Sequence, residues 1–175
     1  MKNRKRKQDL NGRKGNAIID VIFIIIAIFG FSLASIIGYK IFTDINDEIQ
    51  VEATFSNDSK EILDDLHGKY PPLFDGAFLV ILIFLWIGGI IASFMVDSHP
   101  IFLVATIVLT VFVLFLGAIF SNSYEGISQS SDLSNYSSEF PITNFMMGNL
   151  YIIVLIMSIS ISLVLFGKFR SGGGI

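Results

Sequence analysis

The sequence predicts an all-α integral membrane protein: a bundle of four transmembrane helices, both termini on the inner side, with a short amphipathic helix in the first outer connection. Three observations carry this expectation. The 175-residue chain is 53% hydrophobic and only 15% charged, where soluble domains carry about 25% charged residues. Four stretches are apolar over the roughly 20 residues that a helix needs to cross a hydrocarbon core of about 30 Å. The bases gather in the two tails, whereas the long connections are acidic. The overall charge of −3 hides that segregation.

Residues 1–16 form a basic tail, with Lys2, Arg4, Lys5, Arg6, Lys7, Arg13 and Lys14. Residues 17–42 follow as the first span. Its apolar run is too long for a signal peptide, and no small-residue cleavage site ends it. Residues 43–75 form an acidic outer segment, with nine acids against Lys60 and Lys69. The second span covers 76–96, and "DSHP" at 97–100 makes a tight turn into a third span at 101–120. Residues 121–144 form an outer loop rich in Ser and Asn, carrying Glu125, Asp132 and Glu139 and no base. The fourth span covers 145–167, and residues 168–175 form the second tail. Backbone groups in lipid must pair within their own segment, so runs of this length mean helices. Lys and Arg are retained inside, which places both tails and the "DSHP" turn inside and both acidic connections outside.

Within the acidic segment, Ile45 and Ile49 keep a helical spacing, so helix one is expected to reach about Phe55. A fresh helix is then signalled by Asp58 as N-cap and Glu61 three residues on, as in a capping box. Ile62, Leu63 and Leu66 give it an apolar face for a membrane surface, a partner or its own bundle. Gly68 supplies a stop, and Pro71 and Pro72 turn the chain back into the second span.

Few residues offer chemistry. With no cysteine in the chain, disulfides and thiolate metal sites are excluded. His67 and His99 fall on opposite sides of the predicted bilayer, so they cannot share a metal, and neither has a second ligand at motif spacing. No nucleophile elbow, phosphate loop or zinc-protease helix occurs. Asp20, Lys40, Asp75 and Asp97 sit at span ends, not at a midplane, which argues against a transporter or channel. Ser158, Ser160 and Ser162 alternate along span four and are expected to bond backbone carbonyls or a neighbouring helix. We therefore expect no enzyme activity and no cofactor.

Helix contacts are better signalled. Gly30, Ala34 and Gly38 recur every four residues, and Gly88, Gly89 and Ala92 cluster in span two. Small residues let helices approach closely in lipid, within this chain or against a partner. Two Asn-x-Ser/Thr sequons, at Asn57 and Asn135, lie on the expected outer side.

The basic tail exceeds what topology requires. "KNRKRK" contributes about 1 kcal/mol per base against an anionic leaflet and could equally neutralise nucleic-acid phosphates without reading sequence. The stretch "RKGNAIIDVIFIII" resembles the processing site of type IV pilin-like proteins: a basic run ends at Gly15, and an acid follows at Asp20 before an apolar helix. That family usually carries Glu at the position of Asp20, and it has one helix where four spans are expected here. The stretches "DSHPIFLV", "AIFSNSYEGI", "EFPITNFMMGNLYIIVLI" and "LFGKFR" resemble small multi-span proteins of phages and of viruses with a lipid membrane beneath the capsid. This resemblance covers about the second half of the chain and involves no catalytic motif. It implies a virion membrane protein with its termini towards the genome and its loops towards capsid proteins. The expected function is accordingly structural and non-enzymatic. A small accessory subunit of a cellular membrane complex is the alternative, and a transporter or channel the third. The expected partners are the bilayer, capsid or membrane-complex proteins bound through the outer acidic segments and helix one, and nonspecific nucleic acid at the basic tail.

Overall fold

The computed structural model describes residues 17–95 and 100–172, and every regular element within them is helical. The helices are α1 (Ala17–Val51), α2 (Asn57–Met95), α3 (Pro100–Ser128), α4 (Ser134–Ser137), α5 (Pro141–Gly148) and α6 (Leu150–Gly172). Four of them, α1, α2, α3 and α6, are long and apolar enough to cross a membrane. The chain is therefore that of an integral membrane protein. The "DSHP" turn lies almost wholly outside the described residues, as does the basic tail.

Each spanning helix has two main neighbours, in the circular order α1, α2, α6, α3. The outward faces carry Ile26, Phe84, Ile91, Val108, Phe115 and Leu163, all exposed in the isolated chain. Lipid is the solvent that makes such a face affordable, because apolar surface there is not set against water. The core lies towards the end formed by the α1–α2 turn and the α3–α6 connection. There Ile36, Tyr39, Phe78, Tyr124, Phe140, Met147 and Leu150 are buried together.

The expected break after Gly68 is absent. One helix of 39 residues runs from Asn57 through Gly68, Pro71 and Pro72 into the second span. The separate amphipathic helix is thus the first half of α2. Two interior prolines withhold the donors that the carbonyls of His67 and Gly68 would take, at a cost of about 3 kcal/mol each. Tertiary contacts offset that cost. Tyr70 stacks on Phe74 at 4.2 Å and on Tyr39 at 5.7 Å, and His67 stacks on Tyr39 at 5.0 Å. The start of α2 also shifts by two residues. Ser56 Oγ accepts the Ser59 backbone N–H at 3.3 Å, and the Lys60 N–H reaches the Ser56 carbonyl at 3.1 Å. Ser56 is therefore the N-cap, not Asp58, and Ser59 occupies the position expected of Glu61.

The Ser- and Asn-rich connection also differs from expectation. Helix α3 runs on to Ser128, and α4 and α5 fold back over the mouth of the bundle. Residues 145–148 belong to α5, so the fourth span starts at Leu150 rather than at 145. Asn149 makes the break. Its own N–H and its Nδ2 both donate to the Phe145 carbonyl, at 3.2 and 2.8 Å, and its carbonyl accepts the N–H groups of Ile152 and Ile153. One residue thereby closes α5 and opens α6.

Candidate functional site

Two neighbouring structures stand out: a polar junction at the mouth of the bundle, and a two-helix hairpin extending beyond it. The junction is built around α5. Phe140 precedes that helix, and its side chain cannot cap the first amides. Asp75 of α2 does so instead. Its Oδ2 accepts the Ile142 N–H at 2.9 Å and its Oδ1 the Thr143 N–H at 2.6 Å. Only 4% of Asp75 is exposed. A carboxylate suits the positive end of a helix dipole, and two charge-assisted bonds compensate its burial. The other end of α5 is held by α3, where Ser121 Oγ donates to the Gly148 carbonyl at 2.7 Å. Between these clamps, Tyr124 donates to Asn144 Oδ1 at 2.6 Å, and Asn144 Nδ2 donates to the Ser137 carbonyl at 2.6 Å. Among the described residues, every buried side-chain N or O atom has a hydrogen-bond partner.

The hairpin comprises the end of α1 and the start of α2. At about 1.5 Å per residue, α1 spans roughly 52 Å and α2 roughly 58 Å, whereas α6 spans roughly 35 Å. Beyond Tyr39, which packs on Tyr136 and Phe140 at the mouth of the bundle, α1 continues to Val51, about 18 Å further, with α2 alongside it. Polar bonds fasten them to each other. Gln50 Nε2 donates to the Lys60 carbonyl at 2.9 Å, and Lys60 Nζ donates to the Gln50 carbonyl at 2.8 Å. Lys60 thus meets an open carbonyl in the last turn of α1, where a cation is favourable. Lower down, Thr43 Oγ1 lies 2.8 Å from His67 Nε2 and donates its one hydrogen to the Tyr39 carbonyl at 2.9 Å. His67 is a structural partner of α1 here. The hairpin surface bears Asp44, Asp47, Glu48, Glu52, Asp58, Glu61, Asp64 and Asp65, and Asp65 pairs with Lys69 at 2.5 Å.

The residues singled out in the sequence are scattered. Lys2, Arg4, Lys5, Arg6, Lys7, Arg13 and Lys14 lie outside the described residues. Gly38 is in close contact: the Tyr70 hydroxyl occupies the space that a Cβ would need. A Cβ at Gly89 would lie 3.1 Å from Ile161 Cδ1 of α6. A Cβ at Gly30 or Gly88 would meet nothing within 4 Å, and Ala34 and Ala92 are exposed. Ser160 donates to the Ile156 carbonyl at 2.9 Å, the backbone bond expected of it. Gly117, not singled out beforehand, brings α3 against the Tyr151 backbone of α6, with 3.3 Å between a Cβ there and Tyr151 Cα.

The clamp on α5 was the feature that sequence reasoning missed. A signal for it exists. Pro141 opens a helix after Phe140, a residue that cannot cap, so the cap has to come from elsewhere. Asp75, a lone acid at the head of an apolar run, is a residue of the right chemistry. Compared with protein-family models, curated proteins and solved structures, the chain matches none.

Proposed function

We propose that this is a structural, non-enzymatic membrane protein that holds an acidic two-helix hairpin rigidly off a bilayer as a contact for other proteins. The observation that carries this reading is the cross-bonding of the hairpin: the reciprocal Gln50–Lys60 bonds and the Thr43–His67 contact fix its two helices together. A rigid arm loses little conformational entropy on binding, which favours recognition. The hairpin faces outside in this proposal and both tails face inside, since the tails hold the surplus bases. The basic tail then meets anionic headgroups or nucleic acid. A virion internal membrane is the favoured location on the resemblance of the second half of the chain, with a cell membrane as the other.

The test combines topology with partners. Because the chain lacks cysteine, single cysteines can be placed at will. An impermeant maleimide should label Asn57→Cys in intact cells or particles, and should label Arg170→Cys only after lysis. A photo-cross-linker at residue 48 or 64 should capture a defined protein in stoichiometric amount. Labelling of both cysteines from one side, or an absence of protein adducts, sinks the proposal. Quantification in purified particles distinguishes the virion from the cell membrane.

A second reading, an accessory subunit bound through helix one, draws on the exposed Gly30 and Ala34, which no helix among the described residues covers. Cross-links from residue 34 to a foreign transmembrane helix would favour it.

A further inference from the structure

We propose that the outward face of the α2 extension docks a basic amphipathic helix of a partner protein. The proposal rests on the reading of the hairpin as a contact arm, and it specifies the chemistry of what binds there. Ile62, Leu66 and Leu73 recur at intervals of four and seven residues, so they share one side of the helix. They are 62%, 52% and 68% exposed. The opposite side is spent on α1, through Lys60, His67 and Tyr70. Asp58, Glu61 and Asp65 edge the apolar residues, and together with Ile62 and Leu66 they line a shallow depression. Among the described residues, Asp58 and Glu61 have no ion-pair partner.

A bilayer that ends near the mouth of the bundle reaches Leu73, two residues before Asp75, but leaves the Ile62 and Leu66 end of this face outside the hydrocarbon. Ile62 precedes Asp75, at the mouth of the bundle, by thirteen residues, about 20 Å of helix. An anionic membrane surface is also a poor cover, because it would repel the acidic edge. The complementary occupant carries Leu, Ile or Phe at helical spacing, to meet Ile62 and Leu66, with Lys or Arg flanking them to meet the acids. Apolar anchors one turn apart are how a helix is read by a helical face, and the acids add orientation and a faster encounter.

The test uses the full-length protein in zwitterionic-lipid nanodiscs, with empty nanodiscs as blank. The probe is a fluorescent peptide of about 18 residues with Leu and Lys set at helical period, followed by anisotropy. Binding should exceed the blank and weaken about tenfold between roughly 50 and 300 mM salt. The pair Ile62→Ser with Leu66→Ser should weaken it about tenfold, and so should Asp58→Lys with Glu61→Lys. All four side chains are exposed, so the thermal melt should not move. A peptide of equal composition with the period scrambled should bind about tenfold more weakly. Equal binding by the scrambled peptide or by the Ser pair overturns the proposal, as does binding no stronger than the blank. A nitroxide at Ile62→Cys that reports a lipid-like oxygen accessibility also overturns it, in favour of a membrane surface. Failure of these arms while cross-links from residues 48 and 64 still capture a protein removes only the basic-helix chemistry. Loss of the cross-links as well removes the contact arm itself.

Discussion

Asp75 and Asp65 lie on the same helix, ten residues apart, and do opposite work. Asp75 is buried and holds two amides of α5. Asp65 stands in the open beside Lys69, at the edge of an exposed apolar strip. The difference lies in what surrounds each carboxylate. Around Asp75 the chain folds back, with Phe140 and Met147 fully buried and every buried side-chain N or O atom among the described residues given a partner. Around Asp65 only one other helix is near, so its acids remain available. The junction is closed by its own hydrogen bonds and the hairpin surface is left exposed, although residue types alone do not distinguish the two.

That contrast breaks most easily at Asp75. Asp75→Ala should cost about 3 kcal/mol or more, from the loss of charge-assisted bonds to the buried Thr143 amide and the part-buried Ile142 amide. Denaturant titration in detergent, followed by circular dichroism, measures it, and amide exchange at Ile142 and Thr143 should quicken first. Asp65→Ala should stay within about 0.5 kcal/mol, since an exposed ion pair contributes little. Equal losses at the two positions would erase the distinction.

Glycine substitutions sharpen the same point within the bundle. Gly38→Ala must displace the Tyr70 hydroxyl from a stacked ring, and Gly117→Ala must push on the Tyr151 backbone. Each should destabilise by about 1–3 kcal/mol. Gly30→Ala and Gly88→Ala meet open space and should be neutral or stabilising by up to about 1 kcal/mol, through helix propensity. The four melting temperatures, compared under one condition, decide it. A partner helix seated on Gly30 in native membranes would reverse its sign there and not in purified protein.

A smaller effect is expected at the hairpin tip. Lys60→Met keeps the length of the side chain but removes its bond to the Gln50 carbonyl. The cost should be about 1 kcal/mol, seen as faster amide exchange in the last turn of α1 with little change in the bundle. The smallest effect belongs to Ile62→Ser, within about 0.5 kcal/mol of wild type. A large loss there would mean that Ile62 packs within the chain and is not a free surface.

The spanning helices were legible because each is decided by its own residues. Val21 to Tyr39 or Gly76 to Met95 must be helical in lipid whatever else the chain does, since no water is present to satisfy an open backbone. The boundaries of the second half were less legible. Pro71 and Pro72 read as a turn, and they would end a helix in isolation. They are tolerated because aromatic residues of α1, above all Tyr39, hold that stretch of α2 in place. The Ser- and Asn-rich run read as a loop because α4 and α5 are too short to be stable alone. They persist because Asp75 and Ser121 cap the two ends of α5, and Asn144, held by Tyr124, donates to the Ser137 carbonyl at the end of α4. The stripe at Gly30, Ala34 and Gly38 read as one surface, yet only its Gly38 end meets a neighbour. Spacing puts residues on a face without saying what lies opposite.

The sequence by itself determined that four helices are long and apolar enough to cross a membrane and that bases and acids gather in different segments, because hydrophobic length and the placement of charges are local properties. Tertiary structure alone decided that the acidic segment is a cross-bonded hairpin continuous with the spans, and that the buried carboxylate of Asp75 closes the mouth of the bundle. Those outcomes depend on groups 24 to 68 residues apart meeting in space. A helix end lacking its own cap shows in the sequence, but the partner that satisfies it is set only when the helices pack.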